Sequence, residues 1–181
     1  MNIACLGWGS LIWESGALPL AGDWYLDGPR MPIEFSRVGD GGELSTAICL
    51  DAPSLTVCWA LLDVETLDQA CAALREREQV SSQREDGVGT LLVADKPVGA
   101  IMRWARERRI DAVIWTALPP RFKGVEGRIL SAQDAVAYLR GLTGDTLEHA
   151  RRYIEQVPEQ IDTPYRRIIE RQLGWHFDRA R

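Results

Sequence analysis

The spacing of hydrophobic positions changes along the chain, from short runs and alternation to a helical period. Ile3 to Trp8 is a short apolar run closing on Gly7-Trp8-Gly9-Ser10, the pattern of a strand entering a tight loop. Residues 31–38 alternate, with Ile33, Phe35 and Arg37 on one face and Pro32, Glu34 and Ser36 on the other, which predicts a second strand. The loop Gly39-Asp40-Gly41-Gly42 leads to a third strand at 44–50. Pro53-Ser54 breaks the chain before Leu55 to Leu62, which reads as one buried strand by its length and apolarity. Short turns between successive strands favour antiparallel pairing, in a meander or a small barrel.

A period of 3.6 residues begins near Val64. Leu67, Cys71 and Leu74 fall at i, i+4 and i+7, predicting a helix from Val64 to Gln79. A strand follows at 88–94, then a helix at 97–109 opening on Pro97, and a strand from Asp111 to Leu118 stopped by Pro119-Pro120. The remainder reads as helices at 132–142 after a Ser131 cap, at 145–157, and at 164–173 opening on Thr163-Pro164. Leu147, Ala150, Ile154 and Val157 form a core-facing stripe. The fold class expected is α+β: a small mixed or antiparallel β-barrel flanked by helices. It forms one domain over 1–181, with barrel and helices to about 130 and a helical C-terminal extension from about 131.

Composition narrows the chemistry. The 181 residues are 46% hydrophobic and 26% charged, a globular balance rather than a disordered one. Only His149 and His176 are present, which disfavours a histidine triad or a multi-histidine metal centre. Cys5, Cys49, Cys58 and Cys71 show no CxxC spacing and read as small buried hydrophobes in a reducing compartment. With no basic leader before an apolar run, and no run near the roughly 20 residues of a membrane span, the expectation is a cytoplasmic protein without membrane contact. The first 95 residues carry a formal charge of −10 and the rest +5, for a net −5. The arginines of the second half interleave with Glu on helices. The 103–109 segment and the Arg166-Arg167 pair therefore read as solvated faces, and no nucleic-acid partner is expected.

Three features carry candidate chemistry. The loop Gly7-Trp8-Gly9-Ser10-Leu11 has two glycines after a strand, but Trp13-Glu14-Ser15-Gly16 does not continue as the helix that dinucleotide binding requires. What remains is a backbone that can approach a ligand and turn N–H groups toward an anion, or a plain tight turn. Glu78 falls on the wheel near Leu67, Leu74 and Cys71, at the end of its helix. A carboxylic acid set there serves as a proton shuttle, or pairs with Arg75 or another arginine as a structural acid. Arg37 shares a strand face with Ile33 and Phe35; if buried it needs a carboxylate, and otherwise it reaches solvent. Ser10 and the cysteines have no identifiable base, and no metal ligand spacing exists.

Leu6-Gly7-Trp8-Gly9-Ser10-Leu11-Ile12-Trp13 resembles the Gly-Tyr-Gly-Ser-Leu-Ile-Trp opening of ChaC-type enzymes in the gamma-glutamylcyclotransferase-like superfamily. Phe35-Ser36-Arg37 resembles the family's arginine-bearing second strand, and Trp59-Ala60-Leu61-Leu62 its central strand. Leu74-Arg75-Glu76-Arg77-Glu78 is similar to the family's Leu-x-x-Arg-Glu segment, whose glutamate is catalytic. The likeness spans about residues 1–95. Trp8 stands where the family has Tyr, and Gln79-Val80-Ser81-Ser82 stands where Gly-Gly-Tyr follows the Arg-Glu pair. The resemblance implies release of 5-oxoproline from a gamma-glutamyl amide or peptide, with no cofactor and no metal. Glu78 would be the general acid/base, and Trp8, Gly9, Ser10, Leu11 and Arg37 would bind substrate. Two other readings stay open: a catalytically silent gamma-glutamyl binding domain, and an RNA- or protein-interaction module using the arginine-rich second half.

Overall fold

A computed structural model describes residues 1–175, so His176 lies outside the described residues. In chain order the strands are β1 (Ile3–Gly7), β2 (Arg30–Val38), β3 (Leu44–Ile48), β4 (Ser54–Thr56), β5 (Cys58–Leu61), β6 (Val88–Leu92), β7 (Ala112–Thr116), β8 (Arg121–Phe122) and β9 (Val125–Glu126). The helices are α1 (Leu67–Arg77), α2 (Gly99–Glu107), α3 (Ala132–Arg140), α4 (Gly144–Gln156) and α5 (Pro164–Leu173). The fold is mixed α+β, and the chain forms two compact units. One comprises Met1–Met31 with Thr56–Leu118; the other comprises Pro32–Leu55 with the described residues from Pro119 to Trp175.

The first unit holds a four-stranded sheet in the order β5-β1-β7-β6. β1 pairs antiparallel with β5 and parallel with β7, and β6 runs antiparallel to β7. All five residues of β1 are buried, as its continuous apolar run requires of a central strand. Ile3, Cys5, Ala112 and Ile114 meet Leu11, Leu18, Leu62, Ala70 and Leu74 in one apolar cluster, with Leu67 and Cys71 packed against it. The 3.6-residue stripe is therefore the face that α1 buries. Thr66 starts this helix with a capping box, its hydroxyl accepting from the Gln69 N–H while the Gln69 side chain accepts from the Thr66 N–H.

The second unit contains β3-β2-β8-β9, again antiparallel, parallel and antiparallel in turn, with β4 also on β2. Its helices share tyrosine hydroxyl bonds with the strands and loops. Tyr153 of α4 meets Thr46 of β3, Tyr138 of α3 donates to the Gly42 carbonyl, and Tyr165 of α5 donates to the Leu130 carbonyl. Ser131 caps α3 as its sequence position predicts.

Three expectations need correction. The run Leu55 to Leu62 is not one strand, because β4 joins β2 whereas β5 joins β1, and the chain changes sheets at the buried Val57. Residues 121–126, where no element is expected, form a hairpin turning on Lys123 and Gly124 at φ 51 and 73, the left-handed pair such tight turns require. Arg166 is no solvated residue. It is 1% exposed and donates to the carbonyls of Ile154, Val157, Pro158 and Ile161 and to Glu170, while Arg167 stays outside on Asp162. Arg108 is likewise half-buried, stacked over Trp104 and paired with Asp27.

Both faces of β2 are buried, so alternation does not divide it into core and solvent sides. Glu34 lies 3% exposed at the start of α5, accepting from the Tyr165 N–H, from its neighbour Phe35 N–H and from Thr163. Burial pushes its carboxyl above the usual carboxylate range, against the lowering effect of those bonds. The folded state thus favours the protonated acid more than the unfolded chain does. That contribution to stability is complete below the unfolded value of about 4.3 and is lost as pH rises through the folded value. Urea unfolding at pH 4 to 7 checks this. Relative to Glu34→Gln, the wild-type protein should lose stability as pH rises; an offset between the two that is constant with pH would contradict the assignment.

Candidate functional site

The parallel pair β1 and β7 places the end of one strand beside the end of the other. Their register sets Cys5 against Ile114, so Gly7, which opens the loop, is level with Thr116. Gly7 is required by close approach: a Cβ there would stand 2.6 Å from the Trp24 ring. Residues 8–13 make turns and no helix, closed by Ile12 N–H to the Gly9 carbonyl and Glu14 N–H to the Ser10 carbonyl. Trp8, Gly9 and Leu11 are buried, and Ser10 and Trp13 are half-buried.

Glu78 is the C-cap of α1, one residue past the last helical position. The helix ends there in a Schellman arrangement: Gln79 N–H bonds the Glu76 carbonyl and Val80 N–H bonds the Arg75 carbonyl. Gln79 occupies the left-handed region at φ 54, which costs a non-glycine residue about 1 kcal/mol. The position is the one at which the sequence departs from Gly-Gly-Tyr. Glu78 itself keeps helical dihedrals, and its N–H bonds the Leu74 carbonyl, so it still stands at its helical position and the cap begins only after it.

The Glu78 carboxylate is held from two sides. Thr116 Oγ1 donates to Oε1 at 3.0 Å, and Arg77 Nη1 lies 3.5 Å from Oε2. The side chains of Arg77 and Glu78 are 14% and 16% exposed. The same Arg77 guanidinium donates from Nη2 to Ser10 Oγ at 3.1 Å and to the Glu14 carbonyl at 2.6 Å, so loop and carboxylate meet at one cation. The partner is Arg77 and not Arg75, whose Nη1 donates to the Arg84 carbonyl. Beneath lies Cys5, whose thiol is pushed up by its complete burial and secondarily by the nearby Glu78 charge. A thiol in that state is an inert filler, not a nucleophile.

Of the sequence candidates, the structure brings together Glu78 and Ser10, with Trp8, Gly9 and Leu11 in the same loop. Arg37 belongs to the other unit. Its guanidinium makes a fork on Glu126, at 2.8 and 3.1 Å, and donates to the Pro119 carbonyl, so its carboxylate partner is internal. Thr116 and Arg77 were not indicated as site residues by the sequence. Trp59 is engaged elsewhere, donating through Nε1 to Asp27 and packing against Tyr25 and Trp104. Among the described residues no group of three or more His, Cys, Asp or Glu is placed to hold a metal ion, and no helix is long and apolar enough to cross a membrane. No family model, curated protein or solved structure matches the chain.

Proposed function

We propose that the chain is a gamma-glutamylcyclotransferase-like enzyme that releases 5-oxoproline from a gamma-glutamyl amide or peptide, with Glu78 as general acid/base. The observation that carries this reading is the meeting of the Glu78 carboxylate with the Gly7–Leu11 loop through Arg77 and Ser10. The alpha-amine nitrogen attacks the gamma-carbonyl carbon, and the bond from that carbon to the departing nitrogen breaks. The attacking ammonium gives up two protons in becoming the lactam N–H, and the departing nitrogen gains two in leaving as an ammonium; Glu78 carries them in turn, so no net proton is consumed. An ion-paired carboxylate is the form that accepts the first proton, and Thr116 fixes which oxygen stays engaged. Backbone N–H groups of Trp8 to Leu11 hold the glutamyl carboxylate or the developing oxyanion. The mixed α+β fold would then be a member of that barrel class, and its four free thiols suit a reducing cytoplasm.

A panel of gamma-glutamyl amines and dipeptides, with 5-oxoproline measured as the common product, tests the reading. At least one should turn over; no release from any would overturn it. A silent binding domain is favoured by one observation, the indole of Trp8 where the family has a phenol. It predicts calorimetric binding of the same compounds without turnover.

A further inference from the structure

We propose that Arg77 is a positioning residue that fastens the Ser10–Gly16 loop to the end of α1, so that loop and Glu78 keep one geometry. For catalysis the inference rests on the proposed function; as a statement about the loop it does not. Arg77 Nε and Nη2 both donate to the Glu14 carbonyl, at 3.0 and 2.6 Å, and Nη2 also reaches Ser10 Oγ at 3.1 Å. Its third nitrogen lies 3.5 Å from the Glu78 carboxylate. The stem takes part as well. Gly16 sits at φ 57 with its backbone against the side chain, where a Cβ would stand 3.2 Å from Arg77 Cγ. One rigid fork therefore spans the first turn of the loop, its later turn and the acid.

Lysine cannot replace this. It carries the charge on a single point at the end of a flexible stem, whereas guanidinium presents several donors in a fixed plane. A base displaced by about 1 Å from its substrate costs about 100-fold in rate, so losing the fork should appear in kcat rather than in KM.

The experiment uses Arg77→Gln and Arg77→Lys in the full chain, with gamma-glutamyl-alanine as probe. Amide hydrogen exchange of residues 9–15 should accelerate about tenfold or more in both variants, while β1 and β7 keep their protection. kcat for 5-oxoproline release should fall about 100-fold in both, with KM within a few-fold of wild type. Wild-type exchange of the loop in both variants would overturn the inference, and so would full kcat in Arg77→Lys, which would leave charge alone as the requirement. If Arg77→Gln does not fold, Arg77→Lys decides the matter alone. A wild-type protein that releases no 5-oxoproline overturns the proposed function; loop exchange still decides the fastening.

Discussion

Glu78→Gln should lower 5-oxoproline release by about 100- to 10,000-fold and leave the folded protein intact. The two expectations follow from the same geometry. Glutamine keeps an oxygen at the position where Thr116 Oγ1 now donates, and it keeps the length and shape of the side chain. Arg77 retains Ser10 and the Glu14 carbonyl, so no buried donor is orphaned. What is lost is one largely buried ion pair at 3.5 Å, with an amide NH2 then facing Arg77, for which about 3 kcal/mol is a fair upper figure. The melting temperature should therefore fall by no more than about 10 °C. An amide, however, cannot take the ammonium proton or return it to the departing nitrogen, and neither Cys5 nor Ser10 can stand in. Cys5 is buried with its thiol pushed up, and Ser10 faces a cation rather than a base. Rates of 5-oxoproline formation with matched melting curves check the prediction; undiminished turnover would remove Glu78 from the mechanism.

How far the sequence reached follows from which interactions are local. Period and caps are local, so α1, α3 with Ser131 and α5 with Thr163-Pro164 lie close to where the pattern predicts them. The longer strands were readable, but the break at Val57, the short β8 and β9 and the pairing were not. Nothing in residues 1–8 or 111–118 announces that β1 runs parallel to β7, and that pairing is what brings Thr116 to Glu78. Glu78 stands one residue past Arg77 but keeps helical dihedrals and the bond to the Leu74 carbonyl, so the wheel, a local argument, still describes its position. Charge patterning misled. An arginine interleaved with Glu reads as solvated, yet Arg166 turns inward because the carbonyls at the end of α4 need donors that no local residue supplies.

Arg166→Met should destabilise the second unit by about 4 kcal/mol, the largest stability effect expected at any arginine. Methionine fills much of the volume but donates nothing. The carbonyls of Ile154 and Val157 belong to the end of α4, and those of Pro158 and Ile161 to the turn that follows, so one guanidinium closes a whole helix terminus. Ile154, Val157 and Ile161 are buried, so water does not reach their oxygens as a substitute. A buried acceptor left unpaired costs about 1–3 kcal/mol; the Pro158 carbonyl keeps the Ile161 N–H, and the other three together come to about 4 kcal/mol once relaxation returns part of the cost. The substitution also removes a cation 5.9 Å from the Phe35 ring and leaves Glu170 without its i, i+4 partner. That carboxylate is 22% exposed and can be hydrated, so it adds little. Arg166→Lys should recover only part of the loss, because an ammonium has three protons for four carbonyls and no planar fork to reach both sides of the turn. The measurement is chemical unfolding with hydrogen exchange in α5. Exchange there should rise by about a thousandfold in Arg166→Met, the rate equivalent of about 4 kcal/mol at 1.4 kcal/mol per factor of ten. Protection of α5 at the wild-type level would mean that α4 ends without help from this residue.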